Sequence, residues 1–214
     1  MRTTPLGLLL LSLAGCGDSD DGLTCGPGTR AENGQCVPDT TGPDARIQPD
    51  APTVPPNAKR VFVTKTTYTG DVDGLVGANA LCQNAATAAT LGGTWAAWLS
   101  DFNTDAIDRI TSTGPWYLLT GEMAFANKAA LATSPAVGID VQEDGTRLVI
   151  GERVWTGTRA GGTTDGSGAS QLCGEWFSIG GTGTIGNTSL TDGGWTDAET
   201  LACTTAARLY CFQL

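Results

Sequence analysis

The sequence predicts an α+β fold whose long irregular loops are braced by disulfides, preceded by an extended stalk. Three observations predict it. One segment repeats apolar and small residues at helical spacing, from Leu75 through Ala78, Cys82, Ala85 and Ala89. Short runs of strand length flank it on both sides, and a Gly-, Ser- and Thr-rich stretch at 157–194 follows no regular period. Six of the seven cysteines are spread where they could staple such a chain, provided the compartment is oxidising.

The N-terminus supplies that compartment. Arg2 precedes an apolar run at 6–14 with six leucines, and small residues lead to Cys16, the pattern of a secretory signal over 1–15. The run is too short to span a bilayer, which takes about 20 apolar residues. Leu13-Ala14-Gly15-Cys16 resembles the lipobox of bacterial lipoproteins. The resemblance implies cleavage before Cys16, lipidation of its sulfur, and export to the bacterial envelope, at the outer membrane or cell surface. The membrane partner is then met through lipid alone.

Residues 16–57 read as tether and spacer. Cys25 and Cys36 enclose two turn signals, Gly26-Pro27-Gly28 and Asn33-Gly34, and a local disulfide is the natural assignment. A zinc site is poorly served by two cysteines in a chain without histidine. Six of the ten prolines then fall between Pro38 and Pro56, which makes an extended, semi-rigid linker.

Residues 58–214 read as one head domain, long enough to bury a core without a cofactor. Val61-Phe62-Val63 is a first strand, and Asp71 or Asp73 is placed to cap the helix that follows. Runs at 94–99 and 116–119 read as strands, 105–110 and 125–131 as short helices, and 153–156 and 208–212 as further strands. Cys82 falls on the first helix and Cys211 on the last strand, with Cys173 and Cys203 inside the irregular stretch. Four cysteines allow three pairings. The nested one, Cys82–Cys211 with Cys173–Cys203, best explains how a loop-rich half stays ordered, its bridges contributing about 5 and 4 kcal/mol by chain entropy.

A series of motifs then matches a family. Val61-Phe62-Val63-Thr64, Gly77-Ala78-Asn79-Ala80-Leu81-Cys82, Trp95-Ala96-Ala97-Trp98-Leu99-Ser100, Val154-Trp155-Thr156-Gly157-Thr158, Cys173-Gly174-Glu175-Trp176 and Arg208-Leu209-Tyr210-Cys211-Phe212 occur in order. They resemble the C-type lectin-like fold, and within it the endostatin-like domain of bacterial surface lipoproteins. The resemblance covers the head and implies fold more than function, since this fold carries unrelated activities. Sugar-binding members hold calcium through a Glu-Pro-Asn-like triplet and a Trp-Asn-Asp triplet. Here Trp195-Thr196-Asp197 lacks the Asn amide, and Gln48-Pro49-Asp50 lies in the stalk. Endostatin-type zinc binding needs histidines, of which the chain has none, and a heparin face needs a cationic surface.

The remaining chemistry is sparse. Asp101-Phe102-Asn103-Thr104-Asp105 starts like an EF-hand loop but has Ala106 and Ser112 where Gly and Glu belong. Without histidine there is no Ser-His-Asp or Cys-His arrangement, and every cysteine is assigned, so no enzyme is expected. Nine basic against fifteen acidic residues in the head oppose nucleic acid and heparin-type polyanions as partners. Asp192, Trp195, Asp197 and Glu199 form the candidate ligand-binding cluster, acidic oxygens beside an aromatic plate, weighed against a Trp packed under its loop. No metal or cofactor is assigned, and the motifs do not support calcium. The expectation is a non-enzymatic surface lipoprotein, adhesive in character, binding a protein or glycan through loops at 157–202. A structural envelope role is the alternative, and a two-carboxylate carbohydrate enzyme a lesser one.

Overall fold

A computed structural model of the chain describes residues 24–26, 29–32, 35–38, 54–165 and 172–214. The signal-like run, Cys16, turn residues Pro27, Gly28, Asn33 and Gly34, and stalk prolines Pro43, Pro49 and Pro52 lie outside them. The chain divides into two units, Met1–Pro49 and Asp50–Leu214. In the first, β1 (Thr29–Glu32) and β2 (Gln35–Pro38) pair antiparallel with Ala31 opposite Cys36. Cys36 is bonded to Cys25, so the short hairpin is stapled locally.

The second unit is built on β3 (Lys59–Val63), α1 (Gly74–Ala88), β4 (Trp95–Ala97), α2 (Ala106–Arg109), β5 (Trp116–Leu118) and β6 (Met123–Phe125). A 3-10 helix at Lys128–Ala132, then β7 (Arg153–Trp155), β8 (Thr182–Asn187), β9 (Glu199–Ala202) and β10 (Arg208–Gln213) complete it. The strands run in the order β6-β5-β3-β10-β7-β8-β9. β10 is the hub. It pairs antiparallel with β3 on one side, and on the other it pairs parallel with β7 at Arg208 and Leu209 before meeting β4 at Cys211–Gln213. The fold is mixed α+β, mostly sheet.

Strand alternation sorts the apolar residues onto two faces. Val61, Val63, Tyr210 and Phe212 bury into one core with Trp98, Trp116, Phe125 and Trp195. Phe62, Leu209 and Cys211 bury into the other, with α1, Trp95, Trp155 and Trp176. Trp195 is the centre of the first, its ring 4.9 Å from Trp98 and 5.1 Å from Phe125. All six tryptophans are fully buried or nearly so.

The periodic segment forms α1, which buries Gly74, Ala78, Cys82 and Ala86, one small residue per turn, so the helix lies close on β4 and β10. The expected cap is a correction. Asp73 stands at the N-cap position, but its backbone is left-handed (φ 59°) and its side chain makes no capping bond. The expected helix at 125–131 is replaced by the end of β6 and the 3-10 helix, whose Asn127 side chain accepts from the Ala130 amide. The stretch read as irregular contains β8 entire, with β9 just beyond it. Its glycines explain the miss. A Cβ on Gly183 would stand 2.9 Å from the Trp155 ring, and one on Gly186 would meet the Trp195 carbonyl at 1.9 Å. The strand needs the residues that conceal it.

The nested disulfides are Cys82–Cys211, with Cα atoms 5.4 Å apart, and Cys173–Cys203, 5.6 Å apart. The outer bridge ties α1 to the hub strand across 129 positions, and the inner one closes 30.

Candidate functional site

The structure does not gather Asp192, Trp195, Asp197 and Glu199 around an open site. Trp195 has no exposed surface, and its indole N–H donates to the Thr133 carbonyl. Of the two readings of Trp195, the ligand plate is corrected in favour of the ring packed under its loop, which Trp98, Phe125, Tyr210 and Phe212 enclose. Asp192 caps the short 3-10 turn Gly193–Trp195 by accepting from the Gly194 amide. Glu199 is paired with Arg153 at 3.1 Å, both exposed. Asp197 is exposed, its amide bonded back to Gly193. Among the described residues no group of three or more metal-binding side chains is positioned to hold an ion.

Beneath this region lies a buried hydroxyl network. Ser100 and Thr158 are 2.8 Å apart, Thr156 donates to the Thr196 carbonyl at 2.6 Å, and Trp98 donates to the Thr196 hydroxyl at 2.8 Å. Thr184 donates to the Asp165 carboxylate, which Arg159 also engages. Asp105 accepts from the Thr164 amide at 2.6 Å. Buried hydroxyls satisfied this way hold loop backbone where strand pairing stops. Thr156, Gly157 and Thr158 thus lock the loop rather than address a ligand.

A second organising group sits behind α1. Arg109 donates to the carbonyls of Ala97 (3.0 Å), Leu99 (2.5 Å) and Leu75 (3.3 Å) and to Asn79 Oδ1 (2.6 Å). Burial lowers its pKa to about 10, with Asp101 opposing, so it stays charged at neutral pH. The guanidinium fork suits several acceptors at once, which an ammonium would not.

What the loops hold outward lies near these ties. Cys173, Gly174, Glu175 and Trp176 all take positive φ (49°, 61°, 62° and 68°), making one left-handed turn. Each non-Gly residue in that conformation costs about 1–2 kcal/mol. The turn persists because Cys173 is bridged, and because buried Trp176 donates its indole N–H to the Ser100 carbonyl at 2.7 Å. Its consequence is presentation. Phe177 follows at 60 % exposure, its backbone bridged to Asp71 and its ring over Gly74, where a Cβ would meet Cζ at 2.4 Å. Glu175 accepts from the Phe102 amide at 2.8 Å, and Phe102 is itself 53 % exposed. Ile179 is likewise exposed. Beside Phe177 runs an open groove of about 430 Å³, lined by Tyr68, Asp71, Val72, Asp73, Gly77, Ala80 and Leu81.

No family model matches the chain, and no curated protein matches it either. Phe102 escapes the sequence reading because the Asp-rich run around it reads as a failed metal loop or as helix capping on a solvated face, and neither singles out an aromatic. Phe177 escaped because nothing local marks a left-handed turn after Cys173. Among the described residues no helix is long and apolar enough to cross a membrane.

Proposed function

We propose that this protein is a non-enzymatic cell-surface lipoprotein, anchored through Cys16, whose head is a C-type lectin-like domain of the endostatin-like kind that binds a protein ligand. One observation carries the reading: the tryptophans are all core, while Phe102 and Phe177 are held out to solvent by structured loops. Sugar sites favour broad aromatic plates, and here every indole is enclosed. Protein interfaces are anchored by apolar and aromatic side chains set in firm surroundings. The lectin-like reading of the head is supported by the helix-to-last-strand disulfide and the nested second bridge. Absence of histidine from the sequence and the bonding of all six described cysteines support a binding role over catalysis. The leader and the motif ending at Cys16 support the anchor.

The test is site-specific photo-crosslinking on intact cells, with the crosslinker placed at Phe102, Phe177 and, as control, Thr87. Adducts with an exported protein at the two Phe positions alone are expected. A glycan captured on an array in their place would move the ligand to sugar, and the absence of adducts at both positions would sink the reading.

A further inference from the structure

Resting on that reading, we infer that the Phe102–Phe177 surface and its neighbouring groove receive a protein segment in which Lys or Arg side chains alternate with apolar ones. The apolar part is set by Phe102 and Phe177, both more than half exposed, and Ile179, two positions after Phe177, is exposed as well. Isolated exposed apolar residues are ordinary, but Phe102 and Phe177 are physically joined through Glu175. The rigidity of the left-handed turn means Phe177 is displayed with little conformational freedom left to lose on binding.

The charge around the surface selects the partner. Asp71, Asp73, Asp101 and Glu175 border it, and among the described residues none forms an ion pair. Among the described residues, the Asp101 and Glu175 side chains accept only from backbone amides, those of Asn103 and Phe102. Arg109, whose charge Asp101 also feels, makes no ion pair with it and spends its donors on strand and helix carbonyls and on Asn79. The groove then matches a long basic side chain part by part. Val72, Ala80 and Leu81 line it with apolar wall for the methylene stem, the half-buried Tyr68 offers a ring, and Asp71 and Asp73 supply negative charge. A ring face and carboxylates together suit an ammonium or guanidinium. Gly77 keeps the floor low, since a Cβ there would press on the Val72 carbonyl at 2.0 Å.

The experiment uses the whole exported chain, freed of its lipid by Cys16→Ser, and two decapeptide probes. One alternates Lys or Arg with Leu, and the other replaces every cation with Glu. Backbone amide shifts are followed by NMR. The cationic probe should move signals at Asp71, Phe102 and Phe177 selectively and bind at least tenfold more tightly than the acidic one. Its affinity should fall several-fold between 50 and 300 mM salt, as exposed charges are screened. Asp71→Asn with Asp73→Asn keeps size and tolerates the left-handed backbone at 73, and should weaken binding about tenfold while leaving the melting temperature unchanged. Equal binding of both probes, or indifference to the double variant, overturns the inference. The crosslinking above separates the two failures. Adducts whose contacting segment is neutral or acidic leave the protein-binding reading standing and remove this one.

Discussion

Replacing Arg109 by Met would keep the apolar stem and delete the fork that ties β4 to α1. Ala97 is the pivotal residue. Its amide donates to Asn79 Oδ1 and its carbonyl accepts from Arg109, so both of its main-chain groups turn to side chains on the side away from β10. In the variant Asn79 Oδ1 keeps the Ala97 amide, and the Leu75 carbonyl lies within a helix, but the Ala97 and Leu99 carbonyls lose their donor. An orphaned buried acceptor costs about 1–3 kcal/mol, so two give about 2–6 kcal/mol. Relief from desolvating the guanidinium returns part, leaving a net loss of about 2–4 kcal/mol. Urea unfolding followed by tryptophan fluorescence should show the midpoint lowered by about 1–2 M with the slope unchanged, for a slope of about 2 kcal/mol/M. Arg109→Lys should recover less than half, because three donors on one nitrogen cannot reach carbonyls on both elements. A loss below about 0.5 kcal/mol for Arg109→Met, or full recovery with Lys, would refute the tie.

Four further outcomes rest on named contacts. Tyr210 is fully buried and its hydroxyl has no partner among the described residues, so Tyr210→Phe should be neutral or stabilising by up to about 1 kcal/mol in the same assay. Burial, with Asp140 adding, holds the Tyr210 pKa well above its ordinary 10; stability present below that pH is lost above it, and absorbance at 295 nm should show this phenol titrating only as the protein unfolds. Gly157→Ala combines φ +56° with a Cβ 2.6 Å from Trp176 and should prevent folding or cost more than about 3 kcal/mol, whereas Gly145→Ala, at φ +81° in open space, should cost about 1–2 kcal/mol by thermal melting. Hydrogen bonds from Lys65 and Thr146 hold Asp144, and those from Thr120 and Arg147 hold Glu122, below their ordinary values. Stability is therefore full above about pH 4.5 and falls as pH drops below it, a decline that Glu122→Gln should flatten.

The parts legible in the sequence were those set by local pattern. Small residues recurring through Ala78 and Cys82 announced α1, and apolar runs around Phe62, Trp95, Trp116, Val154 and Tyr210 announced strands that exist. What stayed hidden was decided by distant packing. Thr182-Gly183-Thr184-Ile185-Gly186-Asn187 has a glycine-weakened strand pattern, yet those glycines leave room for Trp155 and Trp195. For Trp195 the sequence leaves two readings, a plate among acids or a ring packed under its loop, and only the fold reveals the four rings that enclose it. Phe177 is exposed by three consecutive non-local events, a disulfide, a buried indole and a left-handed backbone, none of which its neighbours in sequence encode.

The position of β10 also sets the order in which the head can be made. Residues 208–213 form the central strand against which β3, β4 and β7 all pair, and Cys211 is the outer bridge's second half. A ribosome or translocation channel delivering the chain from its N-terminal side releases β3, α1 and β4 long before their shared neighbour arrives. Until then two core faces lack their middle and Cys82 lacks its partner, so premature pairing has little to stabilise it. The head should therefore fold as one late, cooperative event dominated by contacts far apart in sequence, the slow regime for small domains. Truncation inside the last strand would leave no folded remnant of the head, whose Cys82 would stay an unpaired thiol.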